Sequence, residues 1–168
     1  EVVGEDLFLS AWYYNQSDSM PWIIFTHGIR GCKSGGELLI TSGMLLNAGF
    51  NVIVYDLRDH GQSSIDDNRV SGGQDEWQDV VAVFDWLIEE QGADADKIGL
   101  FGTSMGAGTS AIAFSLDDRM QAVWLDSGYA DMGDIVVEEL EFQGLPTFLG
   151  PAGIFAGKIS AGQNLVEY

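Results

Sequence analysis

Four short apolar runs recur along the chain, and they limit its fold more than any other feature. They are Trp22-Ile23-Ile24-Phe25-Thr26, Asn51-Val52-Ile53-Val54-Tyr55-Asp56, Lys97-Ile98-Gly99-Leu100-Phe101 and Ala122-Val123-Trp124-Leu125. Each is too short for a core helix and apolar at consecutive positions, as in a strand buried on both faces. Segments of helical period lie between them. Residues 37–47 carry Leu38, Leu39, Met44, Leu45 and Leu46 and stop before Gly49. Trp77, Val80, Val81, Phe84, Leu87 and Ile88 share one helical face, with Gly92 as a stop. Residues 104–115 are rich in small side chains and read as a tightly packed helix; residues 136–140 suggest another. Strands alternating with helices build a parallel sheet covered on both sides. The expected fold class is α/β, a mostly parallel sheet flanked by helices. The aromatic-rich segment 7–14 adds a strand. Residues 15–21 read as a turn, and 27–36, 58–73 and 144–162 as loops.

The 168 residues suit one domain, and no repeat, low-complexity tract or linker divides them. The first residue is Glu1 rather than Met, and Asn164-Leu165-Val166-Glu167-Tyr168 has no tail-like composition, so both ends are expected to be cut. A net charge of −19 sets the surface against phosphate backbones and anionic membranes, which argues against nucleic-acid binding. The same acidity fits either an ordinary solvated surface or adaptation to high salt. Cys32 is the single cysteine, so no internal disulfide is available. No apolar run reaches the roughly 18 residues of a membrane span. The residues leave the compartment open, with the cytoplasm favoured, and do not speak to a targeting or anchor segment upstream.

Gly102-Thr103-Ser104-Met105-Gly106 is a G-x-S-x-G sequence placed between an apolar strand and a helix. That setting is what a nucleophile elbow needs. The turn is so tight that the neighbours of the serine must be small, hence Gly102 and Gly106. Ala107 and Gly108 would let the helix pack close to the sheet. Ser104 is then held out at a helix N-terminus, and the N–H of Met105 points where a negative oxygen would develop. The alternative is a glycine-rich turn with an idle serine. His27-Gly28-Ile29-Arg30-Gly31 follows an earlier strand, and its flexible backbone makes the N–H of Ile29 the candidate second oxyanion donor. In Asp56-Leu57-Arg58-Asp59-His60-Gly61-Gln62-Ser63, Arg58 is expected to pair with a carboxylate and hold the loop. His60, like His27, reads as structural rather than as a general base.

In order and spacing, the His27-Gly28 loop, the segment 56–61 and the elbow at 102–106 resemble the α/β-hydrolase superfamily. One departure is Asp59, where that family usually has Gly. The stretch 122–131 is similar to the sixth strand and following loop of the serine-aminopeptidase-like and BEM46-like branches, which are esterase or peptidase relatives. The resemblance covers the first two-thirds of the family's fold. It implies an incomplete α/β-hydrolase fold, with residues 1–168 a single partial domain lacking the last strands and the catalytic histidine region. It implies Ser104 as nucleophile and Met105 and Ile29 as backbone oxyanion donors. The family's chain order is nucleophile, acid, histidine; no histidine follows Ser104, so acid and base are expected outside the chain. Asp126, at a strand end, is a lesser candidate for the acid.

These residues point to hydrolysis of an ester or related acyl bond in a small-molecule substrate, with no metal and no organic cofactor. The isolated chain, without a base, is expected to be inactive and poorly stable. Leu140, Phe142, Leu145, Phe148 and Phe155 read either as an apolar wall or lid of the substrate pocket or as cover for the core. Two other functions compete. One is a non-catalytic binding domain on the same fold. The other is a dinucleotide-binding oxidoreductase, with Gly102, Gly106 and Gly108 as cofactor loop and Asp126 as the ribose acid. Against the second, the loop lies mid-chain and no Tyr-x-x-x-Lys pair is present.

Overall fold

The computed structural model describes residues 7–161. Five strands form one sheet: β1 (Ala11–Tyr14), β2 (Trp22–Thr26), β3 (Asn51–Tyr55), β4 (Ile98–Thr103) and β5 (Ala122–Asp126), in the order β1-β3-β2-β4-β5. Four of them run parallel, and only β1 is antiparallel, pairing with β3. The helices are α1 (Gly36–Asn47), α2 (Trp77–Gln91), α3 (Met105–Leu116), α4 (Met132–Phe142) and α5 (Gly150–Ala161). The expected mostly parallel sheet flanked by helices is therefore the observed one.

Alternation along β3 divides the core in two. Val52 and Val54 join Phe25 and Leu38, on the face covered by α1. Ile53 and Tyr55 join Ile24, Leu100, Val80, Phe84 and Leu87, on the face covered by α2 and α3. All five residues of β3 are buried, which explains its unbroken apolar run. Gly49 and Gly92 end α1 and α2 at φ of 92° and 63°, a region glycine enters without steric cost. Among the described residues no helix is long and apolar enough to cross a membrane.

Two elements differ from the sequence expectation. The first strand is shorter: residues 8 and 10 instead bond the 63–64 loop, through Phe8 N–H to Ser64 Oγ and Ser10 N–H to Ser63 Oγ, both at 2.9 Å. The segment expected as a loop over 144–162 is not one across its described residues, 144–161: a 3-10 turn at Thr147–Leu149 leads into α5. Its glycines and proline lower helix propensity in isolation. Pro151 falls in the first turn, where its missing N–H has no intrahelical role. Gly150 and Gly153 allow close packing on α4: a Cβ there would meet Val137 at 3.0 Å and Val136 at 3.1 Å.

Candidate active site

Ser104 lies at the turn between β4 and α3, with φ 53° and ψ −122°. A non-glycine residue at this φ is strained, and the surrounding backbone holds it there. The Ser104 N–H donates to the carbonyl of Asp126 at 2.9 Å, continuing the β4–β5 ladder past its last pair. A Cβ on Gly102 would come 2.2 Å from the Gly106 carbonyl oxygen, and one on Gly106 would come 2.3 Å from that of Thr26. Both glycines are thus required by close backbone contact. Ser104 is exposed although both its neighbours are buried. The first N–H groups of a helix have no intrahelical acceptor, which keeps the Met105 N–H, at the start of α3, the candidate donor beside the serine.

Gly28 faces the same point. A Cβ there would lie 3.0 Å from Ser104 Cβ and 3.4 Å from Ser104 Oγ. The structure therefore brings the 27–31 loop against the elbow at Gly28. Ile29, whose N–H is the second candidate donor, has an exposed side chain that takes no part in the core.

Both histidines are tied to backbone. His27 is buried; its Nε2 accepts from Leu57 N–H at 3.1 Å, which leaves the proton on Nδ1, donating to Gly28 O at 2.8 Å. Burial lowers its pKa, with His60 adding to the effect. His60 Nδ1 donates to Arg58 O at 2.9 Å, and its ring centre lies 5.0 Å from that of His27. Neither ring is bonded to Ser104, and among the described residues no side chain is hydrogen-bonded to Ser104 Oγ. Asp126 is exposed at the end of β5, and its carboxylate accepts from Ser127 Oγ at 3.1 Å.

Arg58 does pair with a carboxylate. Its Nε and one terminal nitrogen donate to Asp79 Oδ1 at 2.9 and 2.8 Å, and its N–H donates to Oδ2 at 2.8 Å. Asp59 adopts φ 59°, a region glycine enters without steric cost; its Oδ1 accepts from Asp66 and Asn68 N–H groups, both at 2.9 Å. Short acidic side chains tolerate this conformation by such local bonding.

Other buried groups were not legible beforehand. Glu76 accepts from the N–H groups of Ser71 and Gly73 at 2.9 and 2.8 Å and from Ser71 Oγ. It holds the 71–73 loop against α3, where a Cβ on Gly73 would meet Thr109 backbone at 3.1 Å. Tyr129 donates to Gly72 O at 2.8 Å and lies over Gly108. So Gly108 makes room for this ring rather than for the sheet. Burial, with a smaller contribution from Glu76, pushes the Tyr129 hydroxyl up to about 12. Lys33 and Asp56 form a buried ion pair. Its two members are far apart in sequence, and only the placement of Asp56 at the end of an apolar strand hinted at it.

Phe142, Leu145, Phe148 and Phe155 are exposed, and Leu140 is half-buried. The reading of these residues as core cover fails for the first four.

A model of the alpha/beta hydrolase fold matches residues 21–150. An uncharacterized 31.7 kDa protein from the traX-finO intergenic region of Escherichia coli is 31% identical over 117 residues, 70% of this chain and 40% of that protein. Lysophosphatidylserine lipase ABHD12 of Xenopus tropicalis is 31% identical over 111 residues, 66% of this chain and 26% of the lipase. The chain thus spans less than half the length of these curated relatives. The solved structure of esterase Pf2001 from Pyrococcus furiosus superposes with a TM-score of 0.72 at 24% identity, covering 96% of this chain and 60% of the esterase. With the strand order, the elbow and the facing glycine loop already in place, this chain belongs to the alpha/beta hydrolase fold family.

Proposed function

We propose that the full-length protein is a serine hydrolase that cleaves an ester or related acyl bond through an acyl-enzyme on Ser104. The observation that carries this reading is the strained, exposed Ser104 at the N-terminus of α3, facing Gly28 of the 27–31 loop. Ser104 Oγ attacks the acyl carbonyl and its proton passes to a base. The N–H groups of Met105 and Ile29 stabilise the oxyanion, and the helix N-terminus adds a favourable field. The alcohol leaves with a proton, and water then releases the acid. His27 and His60 both precede Ser104 and are committed to backbone bonds, so neither serves as the base, and without one the chain alone turns over little. Phe142, Phe148 and Phe155, exposed on α4, the 3-10 turn and α5, supply an apolar wall for a small acyl substrate. Similarity to a lysophosphatidylserine lipase supports the bond class.

The test is hydrolysis of p-nitrophenyl butyrate by the full-length protein and its Ser104→Ala variant. Loss of at least about 1,000-fold in kcat is expected, since the nucleophile acts as a unit with its base. A variant as active as the wild type would remove Ser104 from the mechanism.

A further inference from the structure

The Lys33–Asp56 ion pair is a buried charged feature that the mechanism above leaves unused. Both side chains are almost wholly buried. Burying two charges is costly, and such a pair is not by default a source of stability. Its geometry gives it another use. Asp56 follows β3, the strand flanked by β1 and β2, and is therefore a rigid anchor. Asp56 Oδ1 accepts from the Lys33 N–H at 2.6 Å, and Oδ2 accepts from Lys33 Nζ and from Gln62 N–H, the latter at 2.9 Å. Lys33 Nζ also donates to Gln62 Oε1 at 3.0 Å and lies 5.4 Å from the centre of the Trp12 ring. Burial opposes ionisation of Asp56, but the hydrogen bonds from Lys33 and Gln62 outweigh it and hold the carboxyl below its ordinary range. Gly61 is bare so that this carboxylate fits: a Cβ there would lie 2.3 Å from it.

The other end of the same loop is tied to the next residue along. His27 Nε2 accepts from Leu57 N–H, and His27 Nδ1 donates to Gly28 O. Gly31 N–H donates to Gly28 O as well, at 3.0 Å. In a trans peptide the C=O and N–H point in opposite directions. Fixing Gly28 O therefore fixes the direction of the Ile29 N–H. The 27–33 loop is thus held at its start and its end by Leu57 and Asp56, adjacent residues after β3.

We propose that Asp56 and Lys33 are positioning residues for the oxyanion site, clamping the end of the 27–33 loop so that the Ile29 N–H stays aimed beside Ser104. The assignment rests on the serine-hydrolase reading. Neither residue touches substrate; the pair acts through the loop backbone. A donor misplaced by about 1 Å costs on the order of 100-fold in rate.

The full-length protein is compared with Asp56→Asn, with Asp56→Ala and with the double variant Lys33→Met/Asp56→Ala. The double variant leaves no unpaired buried charge and keeps the proposal testable where Asp56→Ala alone does not fold. Active sites are titrated with a fluorophosphonate, and kcat for p-nitrophenyl butyrate is expressed per labelled Ser104. The expected result is a 10- to 100-fold fall in kcat per site in the folded double variant, on the order of that cost, with KM changed by less than about twofold. Asp56→Asn, which keeps an acceptor for the Lys33 N–H, recovers part of the loss. A merely structural role would lower the melting temperature and the number of labelled sites, with kcat per site unchanged; that outcome overturns the proposal. Failure of the wild type itself to label would sink the serine-hydrolase reading, and the positioning role with it.

Discussion

β3 and β5 are both short, apolar and parallel to their neighbours, yet their surroundings are opposite. Every residue of β3 is buried, between β1 and β2 and beneath helices on both faces. In β5 only Val123 is partly covered; Trp124 is 66% and Leu125 46% exposed. Within these 168 residues, sequence pattern reports what a strand can tolerate, and its place in the strand order decides what covers it. The same contrast holds between two other regions of the chain. The 27–33 loop and the 56–63 loop are laced by buried charge pairs and backbone bonds. The α4–α5 region presents Phe142, Phe148 and Phe155 to solvent.

The contrast can be broken most severely at the elbow. Gly106→Ala sets a methyl group against the Thr26 and His27 carbonyl oxygens, at 2.3 and 2.5 Å, and backbone cannot yield as a side chain would. A loss of more than about 4 kcal/mol, or no folded protein at all, is expected in urea melts. A variant of wild-type stability would mean that β2 and α3 are not so closely apposed. Next comes Asp79→Ala, which removes the buried partner of the Arg58 guanidinium and leaves it only the half-exposed Asp66, at 3.2 Å. Breaking such a pair from one side costs about 3–5 kcal/mol, read in the same melts.

A smaller effect follows from pH. His27 is neutral in the fold, and its pKa is lowered from the ordinary 6.5, chiefly by burial, with His60 and Lys33 adding and the Gly28 hydrogen bond and Asp56 opposing. The unfolded chain then binds the proton more readily, so stability is full above about pH 6.5 and falls as pH drops through the folded value. Protonation also removes the lone pair that accepts from Leu57 N–H. Urea midpoints at pH 7.5 and pH 5.5 should therefore differ, and the difference should shrink in His27→Asn. Smallest of all, in the 168-residue chain, is Trp124→Ala, expected within about 0.5 kcal/mol because the side chain is largely exposed there. A loss of several kcal/mol there would show that β5 is covered in solution and would erase the contrast with β3.

Much of this was readable from local pattern. Apolar runs marked β2 to β5, Gly49 and Gly92 marked helix ends, and strand-to-helix context gave the elbow its meaning. These signals work because strand burial and turn sterics act over a few residues. Arg58 could be assigned a carboxylate partner by charge, but not Asp79 in particular. The Lys33–Asp56 pair spans 23 residues, and Lys33 in a polar, glycine-rich loop looks solvated until the sheet brings Asp56 to it. The helix α5 was hidden for a related reason: its glycines argue against helix locally and are used for contact with α4. Asp59 shows a third limit, since its left-handed backbone rests on bonds to Asp66 and Asn68 that composition cannot indicate.

The most direct measurement is fluorophosphonate labelling of the full-length protein, with the modified peptide identified by mass spectrometry and Ser104→Ala as control. The account predicts one adduct, on Ser104, absent from the folded variant. Failure of the folded wild type to label, or an adduct that persists in Ser104→Ala, would contradict it.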